Sequence, residues 1–147
     1  MFMKKIAIGL LTCVAALQLN AAELEWLTDA PKAQAKAKSE NKVVMLDFTG
    51  SDWCGWCIKL NKDVFSKQEF IDYAKKNLVL VEVDFPRKKK QSAELIKANA
   101  ALEKKYGIEG YPTIIVLDKE GKKIGELGYE SSPKTFIEKL EKAKKKA

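Results

Sequence analysis

The chain has 147 residues, 46% hydrophobic, 32% charged and 9% aromatic, which excludes a disordered or collagen-like polypeptide and suits one domain with a packed core. Its formal charge is +7, and removing Lys4 and Lys5 leaves +5, a basic balance that by itself assigns no partner. No aromatic residues are interleaved with the basic runs to stack bases, so nucleic acid is a poor candidate and none is expected as a partner.

Residues 1–22 have the layout of a secretory signal peptide: Lys4 and Lys5, an apolar stretch from Ile6 to Leu19, then Asn20, Ala21 and Ala22. A spanning helix needs about 20 apolar residues, and this stretch is shorter and interrupted by Gly9, Thr12 and Gln18. A cleaved signal is therefore preferred over a membrane anchor, which makes the mature chain, residues 23–147, a periplasmic or otherwise exported domain. Cys13 lies inside the apolar stretch and leaves with it; Thr12 before it is not the small residue of a lipidation signal.

In the mature chain a short strand is expected near Leu24 to Leu27. Thr28 can cap a surface helix that carries Asp29 in its first turn, tolerates Pro31 and runs to Asn41. Val43 to Phe48 is a nearly continuous apolar run, predicting a strand buried on both faces in mid-sheet. Thr49 to Asp52 is loop chemistry, after which Cys54 and Cys57 open a helix continued by Ile58, Leu60 and Val64. Ser66 to Glu69 has the form of a capping box before a helix with Phe70, Ile71, Tyr73 and Ala74 on its apolar face. Leu78 to Asp84 is a Val-rich interior strand ending before Pro86.

Ser92 to Tyr106 aligns Leu95, Leu102 and Tyr106 on one stripe of a helix, and Gly107 follows where a left-handed cap is needed. Thr113 to Leu117 and Lys123 to Gly128 flank a turn and predict an antiparallel hairpin. Ser132 and Pro133 start a last helix with Phe136, Ile137 and Leu140 inward. Helices and strands in this order fit an α/β fold, a mixed sheet sandwiched by helices.

Loss of the signal leaves only Cys54 and Cys57, and the chain has no histidine. A structural zinc site within one chain wants four such ligands, and c-type haem attachment needs His where Ile58 stands. Neither metal nor organic cofactor is expected. Thiol-disulfide exchange needs a thiolate that attacks a disulfide and a second thiol near enough to resolve the mixed disulfide. At a helix N-terminus Cys54 meets unpaired N–H groups that stabilise its thiolate, making it the nucleophile. Cys57, one turn later and further into the domain, resolves. An inert structural disulfide is the competing reading.

Asp47-Phe48, Trp53-Cys54-Gly55-Trp56-Cys57 and Tyr106-Gly107-Ile108-Glu109-Gly110-Tyr111-Pro112-Thr113 resemble the thioredoxin superfamily over nearly all of the mature chain. The resemblance implies the thioredoxin fold, a central mixed β-sheet flanked by helices, with Cys54 exposed at a helix start. It also implies a cis Pro112 facing the cysteines, where an ordinary trans proline is the alternative. The backbone of Tyr111 would hold an extended substrate strand beside the disulfide. Asp47, in an apolar strand, should have a raised pKa. Similar proteins place such an acid behind the second cysteine, where it would take and return the proton of Cys57; a strand-terminal Asp is the alternative. The loop from Asp47 to Cys54 is one residue longer than in ordinary thioredoxins, and Glu82 stands where many relatives carry a Lys.

Trp53 and Trp56 either pack the loop or form a surface for apolar substrate segments. Phe85 to Gln91 is an extra loop that recognises a partner or is tolerated on the surface. Its run Arg87 to Lys90, like Lys144 to Lys146, is read as solvated, although such runs can attract anionic partners or membranes. The function expected is a monomeric thiol-disulfide oxidoreductase acting on protein thiols and disulfides, leaning to reductase or isomerase, with a membrane thiol-disulfide reductant as a further partner. The competing class is a binding module of this fold for an exported client or a cytochrome-maturation partner.

Overall fold

The computed structural model describes residues 23–146, so the signal-peptide reading of residues 1–22, Cys13 included, lies outside the described residues. Five strands, β1 (Trp26–Leu27), β2 (Val43–Thr49), β3 (Leu78–Asp84), β4 (Thr113–Leu117) and β5 (Lys123–Leu127), form one sheet in the order β1-β3-β2-β4-β5. β3 pairs in parallel with β1 and β2, whereas β4 runs antiparallel to β2 and β5. The mixed sheet and the central place of β2 follow the sequence reading.

Successive side chains of a strand point to opposite faces, and the core divides accordingly. Val43, Met45, Leu78, Leu80, Ile114 and Val116 face Leu60, Phe70, Phe136 and Leu140. These come from α2 (Gly55–Leu60), α3 (Gln68–Asn77) and α5 (Pro133–Lys144). Val44, Leu46, Phe48, Val81 and Ile115 face the other way, against Ala33 and Ala37 of α1 (Ala30–Glu40) and Leu102 and Tyr106 of α4 (Ala93–Tyr106). Each large side chain fully buried in these layers contributes about 1.5–3 kcal/mol. By the same alternation Asp47 lies on the face of Val43 and Met45, the side covered by α2.

Ser92 and Ser132 cap α4 and α5 through their side chains, and Gly107 adopts the left-handed conformation at φ 61°. Two helix starts differ from expectation. Asp29, not Thr28, caps α1, its Oδ1 accepting from the Lys32 amide at 2.9 Å. With Thr28 as cap, the amide three positions on would belong to Pro31, which has none. The capping box at Ser66 does not form. Ser66 ends a π-helical turn, Asn61–Phe65, that continues α2, and its hydroxyl donates to the Lys62 carbonyl. Lys67 takes the cap position of α3 without a side-chain bond.

Candidate active site

Val43 to Phe48 run through the centre of the sheet, and the chain leaves β2 at Thr49 into the turn that delivers the cysteines. Gly50 is required there by contact: a Cβ on it would lie 2.4 Å from Cε2 of Trp53. The Gly50 carbonyl accepts from the amides of Trp53 (3.2 Å) and Cys54 (2.8 Å), closing the turn that carries the indole.

Cys54 is the N-cap of α2, with extended backbone angles, and its Sγ accepts from the Cys57 amide at 3.2 Å. The two cysteines are joined as a disulfide with their Cα atoms 5.2 Å apart. A sulfur accepting a backbone N–H at a helix start is the arrangement that favours a thiolate over a thiol. The expected exposure of Cys54 is not found. Cys54 is 7% exposed and Cys57 6%, because in the disulfide the Cys54 side chain turns back over the first turn of its own helix. What separates the two is the space behind them: Cys57 lines a cavity of about 410 Å³ together with Asp47, Thr49, Asn61 and Glu82.

Asp47 is 8% exposed and its Oδ1 has no hydrogen-bond partner. Burial first, then the charges of Glu82 and Asp84, push its carboxyl up to about 8. That value is near the ordinary thiol pKa of about 8.5. Glu82, opposite Asp47 in the β2–β3 register, is itself pushed up, chiefly by burial.

The Tyr111-Pro112 bond is cis and immediately precedes β4. The Tyr111 ring stands edge-on to Trp53, centroids 5.8 Å apart, and its hydroxyl bonds Glu103. The structure separates the two tryptophans. Trp53 is packed into the site, its Nε1 donating to the Phe85 carbonyl at 2.7 Å, whereas Trp56 is 60% exposed. Trp56 leans on the Tyr129 ring at 5.0 Å, and the Tyr129 hydroxyl donates to Asp63 at 2.7 Å. Ile58, 52% exposed, adds a second apolar side chain to the helix that carries the cysteines.

Three residues to which the sequence assigned no part in the site, Asp84, Asp52 and Arg87, prove to organise it. Asp84, at the end of β3, accepts from the amide and hydroxyl of Ser51. The Asp52 carboxylate accepts from the amides of Arg87, Lys88 and Lys89 at 2.9, 2.8 and 3.0 Å. Those amides hold its carboxyl down at about 2. Arg87 places its guanidinium 3.9 Å from the centre of a Trp53 ring. The side chains of Arg87 to Lys90 are exposed, as expected of a solvated run, while the backbone of the Phe85 to Gln91 loop is tied to the active-site turn. No local pattern marks this, because the partners of Asp52 lie some 35 residues away.

Comparison with known proteins agrees with this geometry. Residues 30–144 match the family described as a thioredoxin-like domain. The chain is 39% identical over 112 residues to the disulfide bond reductase DsbH of Chlamydia pneumoniae, covering 76% of this chain and 67% of that one. It is 31% identical over 123 residues to the thioredoxin-related protein DsbJ of the same organism, covering 84% of this chain but only 35% of that longer one. A solved structure described as DsbH oxidoreductase superposes with a TM-score of 0.79 at 36% identity, covering 85% of this chain and 87% of the other. The chain belongs to the thioredoxin superfamily and is a thiol-disulfide oxidoreductase of the Dsb type.

Proposed function

We propose that the chain, exported after removal of residues 1–22, works as a monomer that exchanges disulfides with protein substrates, chiefly as a reductase or isomerase. The observation that carries this reading is the junction of Cys54 at the cap of α2 with Cys57 backed by the Asp47 cavity. In the reduced protein the Cys54 thiolate attacks a substrate disulfide; one substrate sulfur leaves as a thiolate and the other stays bonded to Cys54. Asp47 takes the proton of Cys57, whose thiolate attacks Cys54 Sγ. The Cys54–Cys57 bond forms, the second substrate sulfur leaves and takes up a proton, and two electrons have passed to the substrate.

Tyr111 and Pro112 hold the substrate backbone beside the pair, and Trp56 offers it an apolar face. Each turnover leaves the cysteines oxidised. Outside the cytoplasm a membrane thiol-disulfide reductant would restore them, and the name of the Chlamydia relative supports the reducing direction.

Cys54→Ser should abolish reduction of a disulfide substrate with the fold intact by circular dichroism; retained exchange would defeat the mechanism. Equilibration of the native pair with glutathione reads the direction. A potential well below that of glutathione supports a reductase, and one well above it would recast the protein as a disulfide donor.

A further inference from the structure

The loop between β3 and α4 is fixed to both halves of the active site. Asp52 and Trp53, the two residues before Cys54, hold its backbone through the amides of Arg87 to Lys89 and the carbonyl of Phe85. The Phe85 ring lies 5.3 Å from that of Tyr111, the residue before the cis proline. Arg87, Lys88, Lys89 and Lys90 are all exposed. Asp52, the carboxylate that reaches three residues of the run, is spent on the backbone amides of Arg87, Lys88 and Lys89. Lys89 pairs with Asp84 at 3.3 Å, and among the described residues Arg87, Lys88 and Lys90 make no ion pair.

Four adjacent cations repel one another, and holding them in a fixed loop costs free energy that an anion would return. Because the backbone is already ordered, little further entropy is lost when a ligand docks. Beside the loop a groove of about 300 Å³ runs along α4, its apolar wall made by Phe85, Pro86, Ile96 and Ala100 and its polar edge by Lys89, Gln91, Asn99 and Glu103, the last engaged by the Tyr111 hydroxyl; Ile96 is 55% exposed. A cationic rim over an apolar groove suits a polypeptide better than a membrane plane. The other basic run lies elsewhere: Lys144 bonds Asn77, next to the start of β3, whereas the loop follows the end of β3.

We propose that the Arg87 to Lys90 loop docks an acidic segment of the substrate polypeptide that flanks the disulfide presented to Cys54. This rests on the exchange reading and adds to it the charge of the preferred substrate. The carboxylates meet Arg87, Lys88 and Lys90, and a neighbouring apolar side chain meets Ile96 in the groove.

The test uses the pre-reduced protein and synthetic peptides of equal length, each with one internal disulfide flanked by four Glu, four Gln or four Lys. At about 0.02 M salt the second-order rate constant for the Glu peptide should exceed that for the Gln peptide by about tenfold, with the Lys peptide slowest. The Glu-to-Gln ratio should fall towards one at about 0.5 M salt, and likewise in a Lys88→Gln/Lys90→Gln variant at low salt. Equal rates for the Glu and Gln peptides, or a preference that survives in the variant, would overturn the proposal. So would a ratio of one combined with Lys88- and Lys90-dependent binding to anionic phospholipid vesicles, which would give the loop to a membrane surface. Failure of the exchange reading shows separately, as no reaction with any peptide. Peptide binding to a Cys54→Ser/Cys57→Ser variant, read by tryptophan fluorescence, then decides the docking alone: tighter binding of the Glu peptide upholds it and equal binding refutes it.

Discussion

Asp47 on β2 and Glu82 on β3 stand opposite each other in the parallel register and open into the same cavity as Cys57. A lysine at position 82 would favour the ionised form of Asp47; a second carboxylate does the reverse, so burial and like charge act together and only a minority of Asp47 is ionised at neutral pH, the form that can accept a proton. The acid behind Cys57 is therefore tuned by a partner on the neighbouring strand.

This tuning costs stability in a known direction. With a folded pKa near 8 and an unfolded one near 3.9, the folded state binds more protons than the unfolded between these values. Stability from this group is then greatest below pH 4 and declines as pH rises to 8, by up to about 1.4 kcal/mol per unit. Asp47→Asn removes the decline. Urea unfolding at pH 5 and pH 7.5 should show the variant's advantage growing by about 2–3 kcal/mol over that interval. An advantage equal at both pH values would contradict the assignment.

Asp47→Asn should also slow the resolving step. With a mixed disulfide formed on Cys54, attack by Cys57 should fall by about a hundredfold, in the range for loss of a general base. The rate of the native protein should rise with pH through about 8, and the variant's profile should lose that step and follow the thiol alone. Stopped-flow tryptophan fluorescence reads both profiles.

Gly50 and Trp53 are matched by shape. A methyl group at position 50 would collide with the indole, so Gly50→Ala should cost about 1–3 kcal/mol in unfolding free energy. It should also displace Trp53 from Arg87 and Tyr111, seen as a shift in tryptophan emission of the folded state. Unchanged stability and emission would mean that the turn accommodates a side chain.

Asp52 is the anchor of the basic loop. In Asp52→Asn the amides of Arg87, Lys88 and Lys89 lose a charged acceptor, and their hydrogen exchange should accelerate by about tenfold while that of β2 and β3 is unchanged. Because those amides depress the Asp52 carboxyl to about 2, the anchor persists through neutral and mildly acidic pH and is lost only as pH falls through that value.

The sheet was legible in the sequence because its strands are short runs of Val, Ile and Leu whose burial follows from local composition; β3 spans Leu78–Asp84 as read. Local chemistry also located the cap at Ser132 and the cysteines at a helix start. Readings failed where a residue had two local options or a distant partner. Thr28 and Asp29 both suit a cap, and only the missing amide of Pro31 selects Asp29. Ser66 sits where one helix ends and another begins, and its hydroxyl serves the first. The bonds from Asp52 to Arg87 and from Trp53 to Phe85 join segments more than 30 residues apart, and no periodicity or motif encodes them.

The most direct test of the central claim is to trap the intermediate. Reduced Cys57→Ser protein mixed with a peptide disulfide should accumulate a mixed disulfide on Cys54, identified by peptide mass spectrometry, whereas reduced Cys54→Ser protein should form little or none on Cys57. Equal adduct formation at Cys57, or none at Cys54, would contradict the assignment of Cys54 as the attacking thiolate.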